Sequence, residues 1–217
     1  RLVGSEMCIR DSYPCAVQAY QWKAEFVPDP HIAGSVGRTL ATLSRYPIER
    51  AQRVQLPLDA DNVLSRLLKP QQGVLVSYLP LREGGQLAVL NTRLARHVPG
   101  SDVQLRQVQA LEGMVDKLER QGTPWLLGGD FNLLPLGQYR RLKPQQQPLY
   151  SADSELHLLW DKYPMIPANA EATGAEREAW LTHFPNDPSL DGPDRTLDYL
   201  FHSPKLKRVE GRVVQQD

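Results

Sequence analysis

The chain has 217 residues, of which 41% are hydrophobic and 23% are charged, so we expect a globular domain with a sizeable buried core. Lys and Arg together number 25, as do Asp and Glu, and a net charge of zero argues against general binding to nucleic acid through a basic surface. No apolar run is long enough to cross a membrane, and the two cysteines, Cys8 and Cys15, provide neither a zinc-site spacing nor a disulfide framework.

The first twelve residues do not resemble the rest of the chain. They read like the translation of a sequencing-library adapter, whose end encodes Met7-Cys8-Ile9-Arg10-Asp11 followed by Ser12. We therefore expect residues 1–12 to be an artefact and residues 13–217 to form a single domain. A natural N-terminus is the alternative, which the codons would decide.

The N-terminal half reads as a series of strands. Apolar and β-branched residues alternate with polar ones over segments of strand length, and prolines and glycines separate these segments. The turn Glu83-Gly84-Gly85 joins the last two strands into a hairpin. Residues 61–68 fit either a short helix or a polar loop. The predicted strands lie within 13–26 and at 36–44, 50–56, 73–79 and 86–94.

The C-terminal half mixes helices with strands. Residues 101–120 form the clearest helix, because apolar residues recur at helical spacing, Ser101 or Asp102 can cap its start, and Gly122 ends it. The other predicted elements are one helical turn at 137–142, a second helix at 153–163, a loop at 164–174, and strands that begin at Trp125 and cover 180–184, 196–202 and 209–214.

One of these strands ends in a group of polar residues. The apolar run that begins at Trp125 stops at Gly128-Gly129, and Asp130 and Asn132 follow. Because residues two apart in an extended chain project to the same side, both side chains could point at one reacting atom. Taken alone, the segment is a strand-to-turn junction with Asx capping. A second acid, Asp198, interrupts an apolar strand near the C-terminus, where a buried carboxylate would require a partner.

These two segments and two others resemble, in the same order, signature motifs of the endonuclease/exonuclease/phosphatase superfamily. That family consists of metal-dependent phosphoester hydrolases on a two-sheet α/β sandwich. The resemblance implies an α/β (α+β) fold of two packed, mostly antiparallel β-sheets flanked by helices, a four-layer αββα sandwich that is incomplete in this chain. The four segments are Leu43-Ser44-Arg45-Tyr46-Pro47-Ile48, Val89-Leu90-Asn91-Thr92-Arg93-Leu94, Gly128-Gly129-Asp130-Phe131-Asn132 and Asp194-Arg195-Thr196-Leu197-Asp198-Tyr199-Leu200-Phe201.

The resemblance also implies roles for the polar residues. Hydrolysis of a phosphodiester needs charge neutralisation and an activated water, and a divalent cation on oxygen ligands supplies both, here Mg²⁺ or Mn²⁺. Asp130 would position or deprotonate the attacking water and, with Asn132, bind the metal. Asn132 would also hold the phosphoryl group, and Asp198 would orient a catalytic histidine. The alternative for Asp198 is a buried partner for an arginine such as Arg195.

Further candidates come from neighbouring segments. Asn91 ends an apolar strand and is a candidate contact to phosphate, with an edge-strand or turn asparagine as the alternative. Arg93 stands where many family members have histidine; it cannot act as a base but can bind a phosphate through two hydrogen bonds. His97, four residues on, is either a stand-in for that histidine or a surface residue. His183 and Arg195, which precede the second acidic strand, are candidates for substrate binding.

Other motifs of the family are not visible. The family has an early Asn and a metal-binding Gln-Glu upstream of its Ser-Arg-Tyr-Pro-Ile segment; Glu25 is the nearest acid, and its neighbours do not match. The closing Ser-Asp-His of the family does not occur before Asp217. We therefore expect a bacterial-type reading frame truncated on both sides, which by itself is inactive or nearly so.

The expected function of the full-length parent is that of a Mg²⁺-dependent phosphodiesterase or nuclease-type hydrolase. Its substrate would be a nucleic acid, an inositol phosphate or a phospholipid headgroup, and we expect a monomer. The alternative is a non-catalytic binding domain that keeps the sandwich but has lost its metal site. Arg93 in place of histidine is the feature that favours this alternative.

Overall fold

The computed structural model describes residues 13–24, 36–58, 71–183 and 192–215, and the chain divides into two compact units at the Arg93–Leu94 bond. The adapter-like residues 1–12 and the helix or loop expected at 61–68 lie outside the described residues, as does Glu25.

The first unit consists of antiparallel strands. Strands β1 and β2 pair with each other, and β3, β4 and β5 form a second sheet in that order. The turn predicted between β4 and β5 is confirmed: Gly84 N–H donates to the Leu81 carbonyl at 3.1 Å, and Gly84 and Gly85 have φ of +89° and +81°. The strands are β1 Cys15–Ala24, β2 Val36–Ser44, β3 Arg50–Gln55, β4 Gly73–Pro80 and β5 Gln86–Arg93.

A hydrophobic core holds the two sheets of this unit together. Ala19 of β1, Leu40 of β2 and Leu75 of β4 are buried against one another, with Val17 and Ala51 packed around them. β4 is buried along almost its whole length, which explains its continuous apolar sequence. The predicted strands of the first unit are therefore confirmed, with boundaries that differ by at most a few residues.

The second unit combines helices with three paired strands. Strand β8 lies between β6 and β7 and pairs antiparallel with both. In the part of this unit that the structure describes, 3₁₀ helices occupy the connections at Gln138–Arg141, Gln147–Leu149 and Arg177–Trp180. The remaining elements are α1 Val103–Arg120, β6 Trp125–Asp130, α2 His157–Trp160, β7 Met165–Ile166, α3 Asn169–Thr173 and β8 Asp198–His202.

Helix α1 buries the apolar face that its sequence predicts. Val108, Leu111 and Val115 are fully buried. At its start the Ser101 hydroxyl accepts a hydrogen bond from Val103 N–H at 3.3 Å, whereas the Asp102 carboxylate accepts one from Arg106 at 2.9 Å. Ser101 is thus the residue whose side chain serves the helix start.

Aromatic side chains fill the core beneath β6 and β8. Trp125 is fully buried and meets Tyr163 edge to face with ring centroids 4.9 Å apart. Phe131 packs against Tyr199 and Phe201 at centroid distances of 5.8 and 5.5 Å. These aromatic contacts hold the end of β6 and the start of β8 in place.

Three sequence predictions for this unit are wrong. Residues 209–214 form no strand: Val209 is 95% exposed, and β-branched residues without a packing surface do not make one. The partner of β8 is instead β7, from a segment predicted as loop. Of the strand predicted at 180–184, the structure describes residues 180–183, and these do not form a regular strand: a 3₁₀ helix ends at Trp180 and an isolated bridge follows at His183.

The helix predicted at 153–163 is also too long. Leu156 and Leu159 are buried, as their spacing predicts, but only His157–Trp160 is α-helical. The Leu158 N–H donates to the Glu155 carbonyl at 3.2 Å, so the chain enters this segment through tight turns instead of a longer helix.

The predicted fold class, mixed α and β with mostly antiparallel sheets, is confirmed. Among the residues that the structure describes, no helix has both the length and the apolar character needed to cross a bilayer.

Candidate active site

Asp130 and Asp198 lie side by side on one sheet. Asp130 is the last residue of β6, Asp198 is the first of β8, and they are direct partners in the antiparallel register. Directly opposed residues project from the same face of a sheet, and alternation puts this face opposite the one that carries Leu127 and Phe201. Asp130 is half-buried and Asp198 is exposed, so this end of the ladder presents two carboxyl groups away from the core.

The backbone at the end of β6 needs special residues. Gly129 has φ of +147° and Asn132 has φ of +52°, both on the positive side that side chains rarely adopt. Asn is among the residues that tolerate the left-handed region best. The Asp130 Oδ1 accepts the Asn132 N–H at 3.0 Å, so the Asx capping considered from the sequence is present. This bond also fixes the orientation of the Asp130 carboxyl group.

Asn132 is buried and its side chain is anchored. Its Nδ2 donates to the Leu94 carbonyl at 2.8 Å. This bond uses one of the two amide hydrogens, which leaves one for the phosphoryl oxygen expected from the sequence. The Leu94 N–H in turn donates to the Asp130 carbonyl at 2.9 Å. These bonds hold the loop after β6 against the segment that precedes α1.

Two buried glutamines of α1 complete this anchorage, and neither was identified from the sequence. Gln104 Nε2 donates to the carbonyls of Asn132 and Ala95 at 3.1 and 3.0 Å, and Gln107 Oε1 accepts the Ala95 N–H at 2.8 Å. Both glutamines are nine-tenths or more buried. Their spacing from Leu111, at i, i+3 and i+7, places them on the buried face of the helix and is the signal that could have identified them.

Residues 182–183 and 194–195 hold the start of β8. The Thr182 and His183 N–H groups both donate to the Arg195 carbonyl at 2.9 Å, and Asp194 N–H donates to the His183 carbonyl at 3.1 Å. The Thr182 hydroxyl oxygen accepts the N–H of Asp198 at 3.1 Å. Thr182 was not identified from the sequence, because nothing local marks a threonine whose partners lie more than ten residues away.

His183 lies in the electrostatic field of both candidate carboxyl groups. Burial lowers its pKa below the ordinary value of 6.5, and Arg195 lowers it further, whereas Asp194, Asp130 and Asp198 act in the opposite direction. The imidazole is therefore neutral at neutral pH, with one ring nitrogen a donor and the other an acceptor.

Arg195 is buried, and its guanidinium forms hydrogen bonds with other side chains of the protein. Its guanidinium binds both carboxylate oxygens of Asp194, at 2.7 and 2.5 Å, and donates to the Tyr150 hydroxyl at 3.2 Å. Burial opposes its charge, but these hydrogen bonds outweigh burial and raise its pKa. Asp198 is therefore not the buried partner of Arg195 that the sequence left as an alternative; that partner is Asp194.

The candidates Asn91 and Arg93 belong to the first unit. Asn91 lies within β5, not at a turn, and its Nδ2 donates to the Ala41 carbonyl of β2 at 2.8 Å. Arg93 is half-buried at the end of β5, and its carbonyl accepts a hydrogen bond from Gln21 at 3.2 Å. His97, in the second unit, is half-buried.

The donors at the strand end suit a hard divalent cation in chemical type. Asp130 and Asp198 offer carboxylate oxygens, which Mg²⁺ prefers and of which it commonly uses one or two while keeping several waters. Within residues 13–24, 36–58, 71–183 and 192–215, no three His, Cys, Asp or Glu side chains form a metal-binding group. The carboxyl pair therefore fits part of such a site.

Comparison with known proteins gives a family model and a set of similar structures. The model described as the Endonuclease/Exonuclease/phosphatase family matches residues 9–216. No curated protein sequence matches the chain.

The solved structures share the fold at low sequence identity. The endonuclease/exonuclease/phosphatase from Beutenbergia cavernae is 22% identical, covering 86% of this chain and 46% of its own, with a TM-score of 0.51. D. rerio TDP2 complexed with a single-strand DNA product is 11% identical, covering 89% and 64%, with a TM-score of 0.51. Truncated Caenorhabditis elegans TDP2 is 16% identical, covering 87% and 61%, at 0.50. The chain thus matches less than two thirds of each structure, and the likeness shows the α/β sandwich fold.

Proposed function

Because the chain belongs to the endonuclease/exonuclease/phosphatase family, whose members are hydrolases that act on phosphoesters, we propose that the protein is a phosphodiesterase that depends on a divalent cation, Mg²⁺ in the first instance. The observation that supports this most strongly is the pair Asp130 and Asp198, opposed in register at the strand end, with His183 in their field. Paired carboxyl groups beside a neutral imidazole are the groups from which acid–base catalysis is built.

Each residue has its own role in the proposed reaction. The Asp130 carboxyl group, oriented by its bond from Asn132 N–H, accepts a proton from the attacking water. Asn132 keeps the strand end in shape and has one Nδ2 hydrogen left for a phosphoryl oxygen. In this mechanism the neutral His183 donates a ring N–H to the phosphate, and the negative charge of Asp198 favours the protonated imidazole.

The divalent cation fits this arrangement as a ligand of the carboxyl pair. When bound, Mg²⁺ neutralises phosphate charge and lowers the pKa of a bound water. The family is generally dependent on divalent cations. Asp130 and Asp198 are the described residues that would hold it.

The test is hydrolysis of plasmid DNA and of bis-p-nitrophenyl phosphate, with Mg²⁺ and with EDTA. It is made on the 217-residue chain, which we expect to be inactive or nearly so, and on a longer protein that contains it, which we expect to be active. In the longer protein Asp130→Asn and Asp198→Asn should each lower kcat by about 10² or more, the usual worth of an acid–base group. Asp153→Asn, an exposed carboxylate at a turn, is the control and should leave kcat unchanged. Absence of hydrolysis of either substrate by the longer protein with Mg²⁺ would count decisively against the proposal.

A second candidate function is a binding domain without catalysis. Arg93, at a position where the family resemblance implies histidine, favours it, since arginine cannot act as a base but binds phosphate well. Calorimetric titration of the longer protein with Mg²⁺ separates the two functions, because the binding domain predicts no heat of cation binding and no turnover. The candidate ligands for both functions are nucleic acid, inositol phosphate and phospholipid headgroups.

A further inference from the structure

The hydroxyl group of Thr182 sits at the point where the chain enters β8. Its Oγ1 accepts two backbone hydrogen bonds, from Leu197 N–H at 3.0 Å and from Asp198 N–H at 3.1 Å. A threonine oxygen has two lone pairs, so one side chain satisfies both donors. Leu197 is 2% exposed, so its N–H has little access to water as a replacement partner.

Thr182 is itself held by the segment that leads into β8. Its N–H and that of His183 share the Arg195 carbonyl. The buried Arg195 side chain is in turn fixed by two hydrogen bonds to Asp194 and one to Tyr150. These bonds hold the Thr182 oxygen in a defined position. The N–H groups of Leu197 and Asp198 bind to it there.

Asp198 depends on this support more than other residues of β8 do. It is the first residue of the strand and is exposed, whereas Tyr199 and Phe201 are locked in the aromatic core. Chain ends of exposed strands fray first unless they are tied down. The Thr182 hydroxyl ties down the backbone that carries the Asp198 carboxyl group, in register with Asp130.

We infer that Thr182 is a positioning residue for Asp198: it acts through the main chain of the strand start and never touches the substrate. The inference rests on the proposed function for its catalytic consequence, but its structural content stands alone. A displacement of about 1 Å in a catalytic group is enough to reduce turnover strongly without changing substrate binding.

The test compares Thr182→Val, which keeps the shape but removes the oxygen, with Thr182→Ser, which keeps the oxygen. Thr173→Val is the control, since Thr173 also uses its hydroxyl in a hydrogen bond, to the Asn169 carbonyl at 2.8 Å, but in helix α3. Amide hydrogen exchange of the 217-residue chain should show exchange at Leu197 and Asp198 at least about tenfold faster in Thr182→Val, and near the wild-type rate in the other two variants. A far-ultraviolet spectrum and a melting curve would establish that each variant is folded.

The catalytic arm uses the longer protein. Thr182→Val should lower kcat about tenfold or more with KM within twofold, and Thr182→Ser should restore kcat to within threefold. Unchanged exchange at 197 and 198 overturns the inference, and so does faster exchange with unchanged kcat. If the wild-type protein turns over neither phosphoester, the proposed function fails, while the exchange result still decides whether Thr182 holds the Asp198 backbone.

Discussion

Asn132 offers the sharpest test of how the candidate site is held. It combines a left-handed backbone, with φ of +52°, and a side-chain hydrogen bond of 2.8 Å to the carbonyl of Leu94, a residue only 2% exposed. Replacement by alanine removes the donor and leaves that carbonyl without its partner, at a cost of about 1–3 kcal/mol. Alanine in the left-handed region adds about 1 kcal/mol.

We therefore expect Asn132→Ala to lower the free energy of unfolding by about 2–4 kcal/mol, which for a chain of this size lowers Tm by roughly 4–16 °C. Asn132→Gly loses the same hydrogen bond but no longer strains the backbone. The greater freedom of glycine in the unfolded chain offsets part of this relief of strain, by about 0.4–1 kcal/mol. The glycine variant should therefore be at most about 1 kcal/mol more stable than the alanine variant.

The assay is urea unfolding followed by tryptophan fluorescence, with a thermal melt as a second measurement. Asn169→Ala is the matched control, because Asn169 also bonds to backbone, accepting Leu136 N–H at 2.7 Å, but near the surface and at negative φ. It should cost no more than about 1 kcal/mol. If Asn132→Ala lies within about 0.5 kcal/mol of the wild type, the anchoring bond and the strained backbone do not carry the stability that we assign to them.

Three further predictions concern groups around the site. Burial lowers the pKa of His183 in the folded protein, so its contribution to stability is complete above pH 6.5 and is lost as the pH falls through the lower folded pKa. In thermal melts between pH 4 and 8, His183→Gln should therefore reduce the fall of Tm at low pH, whereas His97→Gln should leave that fall unchanged. Arg195→Met leaves the half-buried Asp194 carboxylate without its cation and should cost about 3 kcal/mol in urea unfolding, against about 0.5 kcal/mol or less for Arg106→Met, whose ion pair is exposed; similar costs would contradict the assigned strength of the Arg195–Asp194 pair. Gln104→Glu removes both donors and should cost about 2 kcal/mol or more by the same assay, so a neutral result would contradict the anchorage of Asn132.

The strands of the first unit could be predicted because their signal is local. The apolar run over 73–79 and the glycine turn that follows it need no knowledge of distant residues, and both appear where the sequence indicates. The helix Val103–Arg120 was equally accessible, since its apolar spacing and terminal Gly122 agree. Such elements can be predicted from the sequence because local propensity and packing favour the same structure.

The errors arise where local propensity has no tertiary support. Residues 209–214 have β-branched side chains but no surface to bury them, and β7, only two residues long, is created by its pairing with β8. The positions of Asp130 and Asp198 were inferred from motifs, but their register could not be, because it depends on a pairing between segments far apart in the sequence. Thr182 was invisible for the same reason.

The register of Asp130 with Asp198 has a thermodynamic consequence. When both carboxyl groups are ionised, like charges directly across a ladder repel, so the final rung opposes the pairing of the very strands that carry it. Any positive ion that settles there removes the repulsion and, by mass action, stabilises the native state in proportion to the logarithm of its concentration. A thermal-shift titration with the ion therefore measures how far the site between the two carboxyl groups is occupied. The two groups proposed for catalysis thus also make the Tm of the protein depend on the concentration of the ion.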